Sequence, residues 1–202
     1  MTKASIVTAT LDSNMGQQTL ERAAKTAGVR IRMHAVVDEH REGGVKTANR
    51  ALQWALESYN APYICYINDD TDFPQSGWLK ALIDALELDP KHGIAGPSGN
   101  CASHQSRRKR GAPYKVVEMK PPKRLSFFTV VFRREVLEQV GLLDERFIHY
   151  ACDNDFCIRA TNAGWKIVWA QHVWIEHKRG RNISRWKQHD LKAFGEKWGT
   201  NR

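Results

Sequence analysis

The sequence predicts an α/β fold in one domain, with a mostly parallel central sheet flanked by helices. Three observations predict it. Apolar β-branched runs typical of strands alternate with stretches whose apolar residues recur at helical spacing. Such an alternation builds right-handed β-α-β units, whose strands run parallel. The chain has 202 residues, 42% of them hydrophobic, which is enough to bury one full core.

Three strands and three helices alternate through the first half. The strands are rich in Val, Ile, Thr or Tyr, and the helices place Leu, Ile or Ala on one face. Polar caps begin the first helix, and a glycine ends it. In order, the predicted elements are a strand at 4–10, a helix from the caps at 12–14 to Gly28, a strand at 31–37, a helix at 45–59, a strand at 63–67 and a helix at 77–88.

The second half is less regular. Residues 96–124 combine Gly, Ser and Pro with many basic side chains, which predicts a long, mobile loop. After the loop, apolar runs and caps predict, in order, a strand at 126–132, a short helix at 134–140, a helix at 153–163 that ends at Gly164, short strands at 166–169 and 173–176, and a basic helix at 184–198.

Positive charge is concentrated in two segments. The formal net charge is +9; residues 103–124 contribute +7 and residues 173–202 contribute +5, while the rest of the chain is close to neutral. Such segments either keep a surface soluble or capture an anionic partner. Three aromatic side chains of the C-terminal segment either stack on bases, sit at a membrane surface or pack this tail onto the domain; they are Trp186, Phe194 and Trp198. The densest basic run is Arg107, Arg108, Lys109 and Arg110.

The location of the protein is predicted from what the sequence lacks. No apolar run approaches the roughly 20 residues that span a bilayer, and the N-terminus has no signal-peptide core. The four cysteines show no zinc-type spacing. These features predict a cytoplasmic protein without a transmembrane segment.

Polar side chains follow each of the first three predicted strands. Thr8 and Thr10 lie towards the end of the first, Asp38 follows the second, and Asp69 and Asp70 follow the third. In parallel sheets, ligands bind in the crevice beyond the carboxyl ends of the strands. The sequence therefore predicts a binding crevice at this edge of the sheet.

An acidic cluster at residues 68–72, Asn-Asp-Asp-Thr-Asp, is the strongest local signal. Three aspartates within four residues repel one another unless a cation compensates their charge. Mg²⁺ and Mn²⁺ favour such oxygen ligands, together with the phosphates of a substrate. The alternative is a solvated turn before the next helix. Because the cluster directly follows a buried strand, we favour a metal site.

Two long motifs resemble family 2 glycosyltransferases, which have the GT-A fold. Residues 66–79, YINDDTDFPQSGWL, are similar to the DxD region of that family. Residues 140–165, VGLLDERFIHYACDNDFCIRATNAGW, are similar to its GxxDExFxxYxEDxDLCxRxxxxG block. The resemblance covers residues 5–177. It implies a GT-A domain at 1–180, with a nucleotide-sugar half at 1–100, a mobile basic loop at 101–125 and an acceptor half at 126–180, followed by a basic tail at 181–202.

The resemblance also implies roles for individual residues. Asp70 matches the metal-binding aspartate, with Asp72 and His177 as further candidate ligands of Mn²⁺ or Mg²⁺. Asp153 matches the general base of an inverting transfer from a nucleotide-sugar, with UDP-sugars favoured. The positions implied to contact the donor are Thr8, Asp38, Lys46, Asn49, Asn68 and Asp69.

Each role has a simpler alternative. Asp153 would also serve as a helix N-cap, and a helix start would lower its pKa through the backbone amides. Asp38 would also suit a turn, His177 a strand end, and Lys46 and Asn49 a solvated helix face. Asp155 is expected to pair with Arg159 one helical turn away.

The family pattern is not matched throughout. Cys152 stands where the family has Glu before its base, and the Asp-Gly-Ser-x-Asp run after the second strand is replaced by residues 38–42, DEHRE. The sequence predicts sugar transfer to an anionic acceptor, either DNA with hydroxymethylated bases or an envelope glycan or lipid. The alternatives are a nucleic-acid-binding protein with a degenerate transferase fold, and a metal nuclease that uses the aspartates of the acidic cluster.

Overall fold

The computed structural model describes residues 3–100, 104–120, 124–178 and 184–199. One turn of 3-10 helix covers His104–Arg107 and another covers Ser184–Trp186. The helices and strands are, in order, β1 (Lys3–Thr10), α1 (Ser13–Thr26), β2 (Arg30–Val37), α2 (Gly44–Ser58), β3 (Tyr63–Asn68), β4 (Thr71–Asp72), α3 (Trp78–Glu87), β5 (His92–Gly99), β6 (Val116–Glu118), β7 (Thr129–Arg133), α4 (Arg134–Val140), α5 (Cys152–Asn162), β8 (Lys166–His177) and α6 (Lys187–Trp198).

The central sheet is mixed. Its strand order is β2-β1-β3-β7-β5-β8-β4, with β6 paired to β8. The first three strands are parallel, as predicted, and so are β5 and β8. The other four pairings are antiparallel, so the expectation of a mostly parallel sheet is wrong for the second half. Two of these pairings arise because β7 runs between β3 and β5 in the opposite direction, and the other two because β4 and β6 each run antiparallel to β8.

Strand β5 lies partly inside the segment predicted to be a loop. Its glycines are needed because neighbouring atoms come too close for a side chain. A Cβ on Gly93 would lie 2.7 Å from Val136 Cγ2, and one on Gly99 would lie 2.4 Å from the Ile175 carbonyl oxygen. Strand β6 also falls in this segment, and β8 is one strand of 12 residues where two short strands were predicted. The predicted loop residues 101–103 and 121–123 lie outside the described residues.

The core has two parts, one on each face of the sheet. Helices α1 and α3 cover one face, and α2, α4 and α5 cover the other. The first part includes Ile6, Leu20, Trp78, Leu82 and Ile83. The second includes Val7, Leu52, Ile64, Phe132 and Phe156. Among the described residues, no helix is both long and apolar enough to cross a membrane.

The pairing of β4 with β8 positions the acidic cluster. Thr71 lies opposite His177, and Asp72 lies opposite Glu176. The Lys178 backbone N–H also donates to the Asp70 carbonyl oxygen over 2.8 Å. The acidic cluster and the end of β8, which are separated by about a hundred residues in sequence, therefore share one edge of the sheet.

Candidate active site

The acidic cluster at residues 68–72, here also called the acidic turn, is held in place by side chains from the end of β1 and from α1. Thr10 Oγ1 lies 2.7 Å from Asp69 Oδ2, and Thr19 Oγ1 donates to the Asp69 carbonyl oxygen over 2.6 Å. Arg22 Nε lies 3.5 Å from Asp72 Oδ1. The three aspartates thus point to different partners, and Arg22 compensates the charge of Asp72. Thr19 and Arg22 were not predicted from the sequence; they lie three residues apart on one face of α1, and their contacts with the aspartates are long-range.

Asp70 faces His177. His177 Nε2 lies 3.1 Å from Asp70 Oδ1 and 3.3 Å from Asn68 Nδ2, and the imidazole stacks on the Phe128 ring. Asp70 Oδ1 is buried, yet it receives no hydrogen bond from the described residues. The Nε2 atom is close enough for an ion pair but not in a direction that makes a hydrogen bond.

A cation fits this arrangement. In the tautomer with its proton on Nδ1, His177 Nε2 carries an unshared electron pair 3.1 Å from Asp70 Oδ1, and neither atom can supply a proton to the other. They repel unless a positive charge joins them. Carboxylate oxygen and imidazole nitrogen are both ligands for Mn²⁺, so the donor set of Asp70 and His177 is chemically suited to a divalent metal.

A cavity of about 370 Å³ opens beside this pair. Most of its lining is apolar and comes from α2, β3 and the segment around β7. Asn68 and His177 also line it, so the cavity adjoins the Asp70–His177 pair. The remaining lining residues are Gly44, Val45, Ala48, Leu52, Tyr66, Ser126, Phe127, Phe128, Phe132, Leu143, His149, Tyr150 and Cys152.

Asp153 lies at the start of α5, next to the cavity-lining Cys152. It is not the N-cap, because Ala151 occupies that position without a side-chain hydrogen bond. Burial raises the pKa of the Asp153 carboxyl, and the backbone N–H groups of Asn154 and Phe127 offset only part of this effect. The prediction that the helix start lowers this pKa is therefore wrong, because the packing around the first turn desolvates the carboxylate more than the amides stabilise it.

Asp38 is buried at the end of β2 and holds the following loop. Its two oxygens accept from the backbone N–H groups of Glu42, over 2.8 Å, and of Gly43, over 3.0 Å. This matches the turn role that the sequence left open.

Thr8 is fully buried and, by strand alternation with Ile6, points to the α1 face of the sheet, away from the cavity. Lys46 is exposed in the first turn of α2.

Asn49 ties α2 to the segment before α5. Its Nδ2 donates to the Leu143 carbonyl over 2.9 Å and to Glu145 Oε1 over 3.0 Å, and its Oδ1 accepts from the Leu143 N–H over 2.9 Å. The side chain is 5% exposed. Asn49 is neither on a solvated helix face nor placed to contact the nucleotide-sugar, because its amide group is hydrogen-bonded within the protein. Its burial depends on tertiary contacts across 94 residues, which spacing on α2 does not reveal.

Asp155 forms the expected pair with Arg159. Arg159 Nε lies 2.8 Å from Asp155 Oδ2, and the Asp155 side chain is fully buried. Lys197 Nζ and Trp198 Nε1 also contact Asp155 Oδ1, over 2.6 and 3.0 Å. Asp155 is therefore structural.

A second acidic group lies at the opposite ends of β5 and β8. Asp89, His92 and Glu118 offer ligand atoms within 4.8 Å of one another. Lys166 Nζ stands among them, 2.7 Å from Asp89 Oδ2 and 2.9 Å from Glu118 Oε1. The ammonium group already compensates these carboxylates.

The basic run of residues 107–110 is exposed and lies near the acidic turn. Arg110 Nη2 is 3.4 Å from the Pro74 carbonyl, two residues beyond Asp72. Gln105 anchors the preceding turn, since its Nε2 donates to the Pro97 carbonyl over 2.8 Å and its Oε1 accepts from the Ser126 N–H over 2.7 Å. Ser126 lines the cavity, so the turn that precedes the basic run contacts a residue of the cavity wall.

Several solved glycosyltransferases have a similar structure. GalNAc-T7, solved with UDP, GalNAc and Mn²⁺, matches with a TM-score of 0.69 and 12% identity over 100% of this chain and 49% of its own. The catalytic domain of Drosophila beta1,4galactosyltransferase 7, solved with xylobiose, matches with a TM-score of 0.62 and 16% identity over 90% and 72% of the two chains. The mannosyltransferase PcManGT from Pyrobaculum calidifontis, solved with GDP-Man and Mn²⁺, matches with a TM-score of 0.65 and 14% identity over 99% and 65%.

These matches concern structure. No family model and no curated protein matches the sequence, so membership of family 2 stays a prediction. The chain spans about half the length of GalNAc-T7 and about two thirds of PcManGT. At 12–16% identity, the similarity establishes the architecture. The chain therefore has the GT-A fold of these glycosyltransferases, as its two long motifs predicted.

Proposed function

We propose that this chain is a metal-dependent glycosyltransferase that transfers a sugar from a nucleoside-diphosphate sugar to a hydroxyl group of an anionic acceptor. One observation carries the proposal: the buried Asp70 Oδ1, which receives no hydrogen bond from the described residues, lies 3.1 Å from Nε2 of the cavity-lining His177, at the strand ends of a GT-A fold. Support also comes from GalNAc-T7 and PcManGT, which were solved with Mn²⁺ and a nucleotide or nucleotide-sugar.

Different residues of the chain would bind the metal ion and the nucleotide-sugar donor. Asp70 and His177 would hold Mn²⁺ or Mg²⁺, with the Phe128 ring stacked on the imidazole, Asn68 beside it and Asp69 anchoring the turn through Thr10. Asp72 is a weaker candidate ligand because Arg22 lies beside it. When bound, the ion neutralises the charge that develops on the departing nucleoside diphosphate. Among the predicted nucleotide contacts, Lys46 has its charged group exposed and free to reach a ligand near α2.

Asp153 is the proposed general base. It accepts the proton of the acceptor hydroxyl as that oxygen attacks the anomeric carbon, and attack from the side opposite the leaving group inverts the configuration. Burial raises the pKa of this carboxyl, and a stronger base takes up the proton more readily. The apolar cavity beside Cys152 and Phe127 would keep water away from the reacting centre.

The acceptor is proposed to be anionic, with DNA carrying hydroxymethylated bases favoured over an envelope glycan or lipid. Arg107, Arg108, Lys109 and Arg110 are exposed beside the acidic turn, where they would hold phosphates while the reacting group enters the cavity. The basic tail would add further cations, although its residues 181–183 and 200–202 lie outside the described residues.

Replacing the four cations at 107–110 with Ser is expected to weaken binding to double-stranded DNA without changing donor binding. If all four contact phosphates, the slope of log K against log salt becomes shallower by up to about 3.6. Salt-dependent fluorescence anisotropy measures this slope. A charge-matched control replaces the exposed Lys25, Arg30, Arg32 and Lys91 with Ser. Equal slopes for both quadruple variants would show that the cations at 107–110 play no special part in DNA binding.

A panel of nucleotide-sugars tests the donor class. A true donor present with Mn²⁺ at about 100 times its Kd stabilises the fold by about 2.7 kcal/mol, which raises the Tm by about 5–10 °C for a chain of this size. UDP-sugars are expected to give the largest shift, and chelation of the metal should remove it. If no nucleotide-sugar raises the Tm in the presence of Mn²⁺, the proposed function is contradicted.

A further inference from the structure

A buried carboxylate in α6 is hydrogen-bonded to the backbone of the loop that precedes α5. Asp190 is fully buried, and its oxygens accept three successive backbone N–H groups. The Ile148 N–H donates to Oδ1 over 3.0 Å, and those of His149 and Tyr150 donate to Oδ2 over 2.9 and 2.8 Å. Successive backbone N–H groups that point into one concavity form an anion-binding site. Here the protein fills that site with its own side chain.

The loop needs such a partner. Ala151 has φ +60°, in the left-handed region that a residue with a side chain rarely adopts. Burial alone would raise the pKa of Asp190, but the hydrogen bonds from the Tyr150 N–H, from His189 and from the next two backbone N–H groups outweigh it and lower the pKa. Asp190 is thus ionised at neutral pH, and the three N–H groups would be left unpaired without it.

The loop forms one wall of the candidate site. His149 and Tyr150 line the cavity, and Asp153 follows at the start of α5. On the other side, the Ile148 carbonyl accepts from the Val45 N–H over 3.1 Å. The loop is also close to Gly44, where an added Cβ would lie 2.8 Å from His149 Nδ1. A shift of this loop would therefore change both the shape of the cavity and the position of Asp153.

Helix α6 is fixed to the domain at its other end as well. Lys197 Nζ lies 2.7 Å from Asp144 Oδ2 and 2.6 Å from Asp155 Oδ1. Phe194 packs near Phe147, with 6.4 Å between ring centroids. These contacts lie on both sides of the loop, before it in sequence and after it. Helix α6 is therefore rigidly placed with respect to the loop that Asp190 holds.

We propose that Asp190 is a positioning residue of the active site, which acts through the loop at 148–151 to set Asp153 and the adjoining cavity wall. The proposal rests on the proposed function, because it assigns Asp190 to the geometry of that reaction. The C-terminal helix is in this view a part of the catalytic domain, because its inward-facing Asp190 holds a wall of the site.

The test compares Asp190→Asn with Glu196→Gln, which removes an exposed carboxylate from the same helix. The Asn side chain keeps the size of Asp but removes the charge that holds three N–H groups. We expect kcat to fall by about 100-fold, with the KM for the nucleotide-sugar unchanged, because small displacements of a catalytic group have effects of that size. Hydrogen exchange at the amides of Ile148, His149 and Tyr150 should accelerate, and Glu196→Gln should behave like the wild type.

Three outcomes would overturn the proposal. Accelerated exchange with kcat within twofold of the wild type would show that the loop does not position the reaction. Equal losses of donor affinity and kcat would indicate a general structural role. If Asp190→Asn does not fold, Asp190→Glu keeps the charge and displaces it by one methylene, and an unchanged kcat in that variant contradicts the proposal. A wild-type protein that turns over no nucleotide-sugar refutes the proposed function, whereas an active wild type with a fully active Asp190→Asn refutes only this inference.

Discussion

Replacing Asp153 with Asn is expected to reduce turnover by about 10²–10⁴-fold, the usual contribution of a general base, while donor affinity stays unchanged. The carboxylate must be ionised to accept a proton. Burial raises the pKa of Asp153, so the rate should rise with pH through a pKa above the ordinary value of 3.8. A pH–rate profile of wild type and variant measures this limb, which should disappear in Asp153→Asn.

The Asp153→Asn variant should lose activity without losing stability. A carboxyl whose pKa is raised in the folded state binds its proton more tightly there, so its contribution to stability is present below the unfolded pKa and lost as pH rises through the folded pKa. At neutral pH, the amide of the Asp153→Asn variant has no charge to desolvate, and urea unfolding should show no loss of stability. Asp155→Asn is the contrasting control, because breaking its buried pair with Arg159 should cost about 3–5 kcal/mol. A destabilised Asp153→Asn would mean that this carboxylate is structural too.

Replacing Asp70 with Asn is expected to lower metal-dependent turnover by about 10³-fold, the size of loss that follows when a main stabiliser of developing charge is weakened. The amide oxygen keeps the size of the side chain but loses the negative charge that faces His177. Calorimetric titration should show weaker Mn²⁺ binding, and the nucleotide-sugar should lose its Mn²⁺-dependent effect on Tm.

Asp72→Asn is the matched control for Asp70. The two residues lie in the same turn, but Asp72 is 38% exposed in its side chain and is accompanied by Arg22. Its replacement should change Mn²⁺ affinity and turnover much less than replacement of Asp70. Equal losses in the two variants would contradict the assignment of the metal to the Asp70–His177 pair.

The first half of the fold could be predicted because its periodicity is strong. Strands β1 to β3 and helices α1 to α3 lie within a few residues of their predicted bounds. Strand β5 was missed because Gly93 and Gly99 allow close approach of neighbouring chains, and local sequence cannot distinguish such glycines from those of a loop. The antiparallel direction of β7 depends on which strands it joins, and no local pattern encodes that choice.

The candidate site could be predicted in part. The resemblance of two motifs to family 2 glycosyltransferases indicated Asp70 and His177 as metal ligands and Asp153 as the base. The polar residues at the strand ends predicted the crevice. The roles of Asp190 and Asn49 could not be predicted, because each side chain bonds to backbone groups distant in sequence. The pKa of Asp153 depends on desolvation by packing, which a helix-start argument omits. Contacts between distant segments decided each of these cases.

We propose that the Asp70–His177 pair supports metal-dependent transfer from a nucleotide-sugar. The release of nucleoside diphosphate is the direct measure of this reaction. The measurement uses the wild-type chain and the nucleotide-sugar that gives the largest Tm shift, with Mn²⁺ and then with a chelator. We predict steady release with Mn²⁺, release reduced to the uncatalysed rate with the chelator, and about 10³-fold slower release by Asp70→Asn. Release that persists unchanged in the chelator, or no release of diphosphate from any nucleotide-sugar, would contradict the account.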